Sequence, residues 1–154
     1  MSLQEKINKE LIMALKQRER EKVSTLRFLI SALKNKAIEK KLEKSKFLPD
    51  DEVIRIIKTQ LKQIKESIEE FEKGERLELK KQHEREAEIL RQYLPEEMSE
   101  REIEAIIRKQ IEQFGKAAVG DLGKVMGAVM KEVGDRADGA RVREMVQRIL
   151  LGAR

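Results

Sequence analysis

His83 is the only histidine in this chain of 154 residues, and there is no cysteine. Disulfides, iron–sulfur clusters, thiolate zinc sites and thiol nucleophiles are therefore excluded. A two-histidine metal site within one chain is excluded with them. A histidine acting as general base needs a nucleophile and an orienting acid gathered in a pocket. His83 lies within Lys80–Glu88, among charges on every side, and reads as part of a solvated helix face. Ser24, Ser31 and Ser67 fall inside helical patterns, Ser2 and Ser99 fall at helix starts, and none sits in a nucleophile elbow. The residues give no catalytic group, metal site or cofactor site.

Glycines and cations are the remaining functional signal. Gly120, Gly123 and Gly127 invite a phosphate-loop reading, but Gly123-Lys124 is followed by Val125 instead of Ser or Thr, and Ala118 occupies the place of the leading loop glycine. Gly120-Asp121-Leu122-Gly123 matches a GXXG clamp with no strand pattern around it. The spacing of Gly123 and Gly127 instead predicts one bare helix face, open to a second helix or to a sugar–phosphate backbone. Only five aromatic residues are present, four Phe and one Tyr. Phe28, Phe71 and Phe114 sit at core spacing, so no stacking platform for single strands is expected. Nucleic acid would be held by Lys and Arg on its phosphates and recognised by shape, as folded RNA is. The C-terminal candidates are Lys124, Lys131, Arg136 and Arg141 beside Gly123 and Gly127; the N-terminal ones are Lys34, Lys40, Lys41 and Lys44.

These residues must be carried by helices. Ser2 and Glu5 have capping-box spacing, and Leu3, Ile7, Leu11 and Ala14/Leu15 then share one face, which predicts a helix to about Gln17. A second pattern runs from about Glu21 to Ala37. Pro49 with Asp50, Asp51 and Glu52 reads as the start of a third helix, reaching Gly74, because a first-turn proline and negative charges suit a helix N-terminus. A fourth covers Glu75 to about Gln92, and the Glu/Lys-rich run Glu66–Glu88 reads as solvent-bathed helix laced with i,i+4 ion pairs. Tyr93-Leu94-Pro95 ends it. Ser99 and Glu102 make a second capping box for a helix closing at Gly115. Two more follow, one over Leu122–Val133 and one capped by Asp138. The expectation is an all-α protein of two domains: a bundle of about four helices over 1–95 and a three-helix bundle over 96–154.

Composition agrees with that class. Charged residues are 41% and aromatics 3% of the chain, which is dominated by Glu, Lys, Leu, Ile and Arg, whereas a sheet draws on Val, Ile, Thr and aromatic residues together. Charges interrupt every apolar stretch well before the ~20 residues needed to span a bilayer, and no signal peptide can be built from Met1–Arg20, so the expected location is the cytoplasm. Net charge is +5. Residues 1–49 hold 13 basic and 6 acidic groups, residues 50–95 hold 10 and 12, and residues 96–154 hold 11 and 11. The positive field therefore belongs to the N-terminal third and favours a polyanion.

Several segments also carry a resemblance. Ser24-Thr25-Leu26-Arg27-Phe28-Leu29-Ile30-Ser31-Ala32-Leu33-Lys34-Asn35, Tyr93-Leu94-Pro95, Asp121-Leu122-Gly123-Lys124-Val125-Met126-Gly127 and Arg136-Ala137-Asp138-Gly139 resemble the YqeY family, in the same order and over nearly the whole chain. The C-terminal part also resembles the tail of GatB, the tRNA-binding subunit of the glutamine-dependent aminoacyl-tRNA amidotransferase. Gly127-Ala128-Val129-Met130-Lys131 is similar to that tail's Gly-Gln-Val-Met-Lys, and Ala137-Asp138 to its Ala-Asn. One local departure stands out: the family usually has Gly directly before the basic residue, whereas here Asp135 separates Gly134 from Arg136.

The resemblance implies a two-domain helical protein that binds tRNA as a GatB tail does, alone or with an amidotransferase or another tRNA-handling protein. It carries the label of a carbon–nitrogen ligase with glutamine as amido-N-donor. The ATP and metal machinery of that reaction belongs to the GatB cradle and the glutaminase to another subunit, so autonomous catalysis is not expected. The competing expectation is a protein-interaction adaptor whose glycine-bare face receives a partner helix.

Overall fold

The computed structural model describes residues 1–152. Among them are eight α-helices and one 3-10 turn, with no strand, so the protein is all-α. Two compact units form, Met1–Leu94 and Pro95–Arg154, and each has its own buried core; the last two residues of the expected 96–154 domain lie outside the described residues.

In the first unit the helices are α1 (Leu3–Lys16), α2 (Arg20–Glu39), α3 (Asp50–Lys73) and α4 (Leu77–Arg91). Helix α1 begins with the full capping box: Ser2 Oγ accepts from the Glu5 amide at 3.2 Å, and the Ser2 amide donates to Glu5 Oε2 at 3.2 Å. A third orphan donor of that first turn, the Leu3 amide, reaches Asp50 Oδ1 at 2.9 Å, so the start of α3 helps finish the start of α1. Pro49 stands at the N-cap of α3, one place before the first turn, and Asp50, Asp51 and Glu52 oppose the helix dipole there. Three-residue links fold α1 onto α2 and α3 onto α4 as helical hairpins.

The left-handed residue that follows α1, α2 and α3 is in no case a glycine. Arg18, Lys41 and Glu75 all take φ near +57°. Each is followed by an amide that reaches back five residues, Glu19 to Ala14, Leu42 to Ala37 and Arg76 to Phe71, which satisfies terminal carbonyls in the manner of a Schellman motif. The core between the helices is built from Ile7, Leu26, Leu29, Leu33, Ile57 and Leu90, all fully or almost fully buried, each contributing about 1.5–3 kcal/mol by leaving water. Buried Gln4 accepts from the Leu48 amide at 2.8 Å and pins the long 40–49 connection to α1.

The periodicity misplaces a few side chains. Leu15 and Leu79 lie on the exposed side, and Phe28, expected in the core, is 67% exposed. Helix α2 buries Thr25, Leu26, Leu29, Ile30 and Leu33, so its inward stripe is filled by aliphatic residues, and Phe28 lies outside it. Phe71 is half-buried against His83, with ring centroids 4.9 Å apart in an edge-to-face arrangement.

The second unit holds α5 (Glu100–Phe114), the single-turn α6 (Ala117–Gly120), α7 (Leu122–Val133), the 3-10 turn Gly134–Arg136 and α8 (Gly139–Gly152). Neither α6 nor the 3-10 turn is signalled by periodicity, since each is about one turn long. Ser99 Oγ caps α5 by accepting from the Glu102 amide at 3.2 Å. Helices α5 and α7 both close on glycines at φ +60 and +58 with ψ near −135°, Gly115 and Gly134. Only glycine adopts that conformation without strain. Ile103, Ile107, Val125, Val129, Val142 and Val146 are completely buried and form the centre.

Candidate nucleic-acid interface

Helix α7 sorts its residues into two faces. Val125, Val129 and Val133 point into the core, and the opposite side presents Gly123, Lys124, Gly127 and Lys131 to solvent, with exposed Gly120 just before it at the end of α6. A Cβ added at Gly120, Gly123 or Gly127 would meet nothing within 4 Å. These glycines are thus not needed for packing within the unit, and they leave the helix backbone open to an approaching surface. Asp121 caps the helix, accepting from the Lys124 amide at 3.2 Å, and its other oxygen lies 3.5 Å from Lys124 Nζ. Lys131 follows Lys124 by seven residues, about 10 Å along the axis, and has no ion-pair partner among the described residues. Beside this face, between α7 and α8, lies a shallow recess lined by Leu122, Gly123, Met126, Gly139 and Arg143.

The other two cations named for this region are held by the protein itself. Arg136 donates from Nε to the Glu96 carbonyl at 3.0 Å and stands 3.6 Å from Glu102, while its own carbonyl accepts from the Met98 amide at 2.8 Å. It clasps the segment that leads into α5. Arg141 lies 2.9 Å from Glu100 in the first turn of α5. Exposed pairs of this kind contribute roughly 0–1 kcal/mol, so a phosphate can compete for these guanidiniums, but Lys131 alone of the four is already free.

The N-terminal candidates divide likewise. Lys40 is paired with Glu52, and Lys34, Lys41 and Lys44 are exposed. A more ordered feature, missed by listing lysines, is the spacing of Arg20, Arg27 and Lys34 at intervals of seven along α2. All three are exposed, with Ser24 and Ser31 between them; none has an ion-pair partner among the described residues, and no acid shares the stripe. The interval was readable from the sequence, since seven residues are close to two helical turns.

Among the described residues no group of three His, Asp or Glu side chains is placed to hold a metal ion, and no helix is long and apolar enough to cross a membrane. The one pronounced shift of a titratable group toward its neutral form is at Tyr93. Burial raises its phenol well above the ordinary tyrosine range, with the charge of Glu10 and a 3.2 Å hydrogen bond to it adding to the shift.

Comparison with known proteins adds two findings. The model of a family described as Yqey-like protein matches residues 4–150. An uncharacterised protein of Schizosaccharomyces pombe is 37% identical over 99 residues, which is 64% of this chain and 76% of that relative.

Proposed function

Since the chain belongs to the YqeY-like family, we propose that it is a tRNA-binding accessory protein whose α7 face receives the sugar–phosphate backbone. The carrying observation is the open strip of Gly120, Gly123 and Gly127 flanked by Lys124 and Lys131. A backbone without side chains lets a phosphate approach closely, and the two lysines supply charge without reading bases. The similarity of this segment to a GatB tail supports tRNA as the RNA. On this reading the glutamine-dependent carbon–nitrogen ligase chemistry resides in a partner amidotransferase, and this chain supplies binding. Arg20, Arg27 and Lys34 on α2 add a second, sequence-independent hold.

Equilibrium binding of total tRNA by the full chain at several salt concentrations tests the proposal. Saturable binding that weakens steeply with salt is expected, and the double change Lys124→Glu, Lys131→Glu should lower the slope of log K against log salt by about two. No saturable binding at low salt, or an unchanged slope in the double variant, refutes it. The recess beside the strip, with Leu122 and Met126 in its lining, favours a second reading as a protein adaptor. A single protein partner retained after nuclease treatment would support that one instead.

A further inference from the structure

The largest departure from the sequence reading is at His83. It is half-buried and lines a half-open cavity of about 330 Å³ between α2, α3 and α4 in the first unit. Its Nδ1 lies 3.1 Å from the Leu79 carbonyl. A carbonyl only accepts, so Nδ1 carries the proton of that bond, and in the neutral ring Nε2 is left as an acceptor. Lining the same cavity from α3 are Ser67 and Gln60. Gln60 is only 6% exposed, yet its carboxamide has no hydrogen-bond partner among the described residues. Neither amide atom is sealed from solvent, so both the donor and the acceptor of Gln60 are available to a molecule that enters the pocket.

The charge of the site is one-sided. Glu86, one turn beyond His83 on α4, is the single ionised group of the lining and is touched only loosely by Gln82 at 3.5 Å. A shallower groove runs on along α3, shares Gln63 and Ser67 with the cavity and adds Glu66, Glu69 and Glu70. No lysine or arginine lines either space. The walls between the polar groups are Ile64, Leu90 and the ring of Phe28, which gives the exposed phenylalanine a place at the site. An ammonium or guanidinium group donates to every acceptor offered here and opposes Glu86, and an aromatic ring at the wall adds cation–π attraction.

We propose that this cavity binds a small organic cation, an ammonium or guanidinium on a short hydrocarbon chain, with Glu86 and Gln60 taking the cationic head and Phe28, Ile64 and Leu90 covering the chain. At about 330 Å³ the space is near the lower end of ligand pockets, enough for a diamine or a single basic side chain. The cation has two sources, a free amine or an Arg or Lys of another protein, and both present the same chemistry. The site is independent of the RNA-binding proposal, and its test uses no RNA.

Because His83 is the only histidine, its imidazole proton signals report the cavity directly. Putrescine, agmatine and the tripeptide acetyl-Gly-Arg-Gly-amide are titrated into the full chain at fixed ionic strength, with 1,4-butanediol as the uncharged match of putrescine. Saturable shifts are expected with at least one cationic probe; putrescine or agmatine then marks a free amine, and the tripeptide alone marks a basic side chain. Butanediol should bind at least about tenfold more weakly, and Glu86→Gln should weaken the cation by about tenfold, the loss of one charge-assisted contact. Gln60→Leu should weaken binding as well; Glu86→Gln, on a half-exposed position, keeps the test valid if Gln60→Leu fails to fold. No saturable shift with any cationic probe, equal binding of butanediol, or unchanged affinity in Glu86→Gln overturns the proposal.

Discussion

Tyr93 shows how much one side chain reports in this protein. It is the only tyrosine and there is no tryptophan, so phenolate absorbance is the signal of a single group. The residue is 5% exposed and its hydroxyl donates to Glu10, and Lys6 Nζ sits 5.9 Å from the ring centroid. With the folded-state value raised, the neutral phenol contributes stability that is fully present below pH of about 10, the ordinary tyrosine value. That contribution is lost as pH climbs through the folded value. In a spectrophotometric titration of the native chain, phenolate should appear only well above pH ~10 and together with loss of helix; Tyr93→Phe should lose less stability over that range than the parent. Ordinary titration near pH 10 in a fully helical chain would contradict this.

At the same scale, the sequence was informative where partners are near in the chain and silent where they are distant. Ser2 with Glu5, and Ser99 with the Glu102 amide, are three-residue relations and were legible as caps. Arg136 with Glu102 and Arg141 with Glu100 join segments far apart in sequence, so the cations that looked available for phosphate could not be known to be occupied. The surroundings of His83 were hidden for the same reason: Phe71 packs on it from another helix, and Gln60 and Ser67 line the same cavity.

Among the elements, α7 makes the most specific demand. Gly127 lies mid-helix, and an added Cβ there touches nothing, so Gly127→Ala removes only the entropic penalty of a helical glycine. Thermal or urea unfolding should show a gain of about 0.8–1.0 kcal/mol. If the backbone at this position meets phosphate, the same change should weaken tRNA binding, which separates a contact role from a folding role. Gly134→Ala is the counter-case: at φ +58 it should destabilise the unit, and unchanged stability would mean that the turn is not held as described. Helix positions and ends were largely readable from period, caps and the Gly and Pro punctuation. The one-turn elements α6 and Gly134–Arg136 were not, because a single turn carries no period.

For the whole molecule, the net charge of +5 divides into arrangements with different uses. The N-terminal third carries the excess, ordered on α2 as Arg20, Arg27 and Lys34 without facing acids. The C-terminal unit is balanced overall, and there only a local strip of glycine and lysine on α7 is proposed to meet RNA. A cavity with one acid in its lining, Glu86, lies within the same N-terminal unit that supplies the positive stripe. Total charge alone would have merged these three surfaces.

The most direct test of the central proposal is ultraviolet crosslinking of the full chain to tRNA, followed by mass spectrometry of the nucleotide-bearing peptides. The account predicts adducts within residues 116–131, spanning Gly120 to Lys131, that disappear in the Lys124→Glu, Lys131→Glu variant. No adducts with tRNA, or adducts confined to other segments, would contradict it.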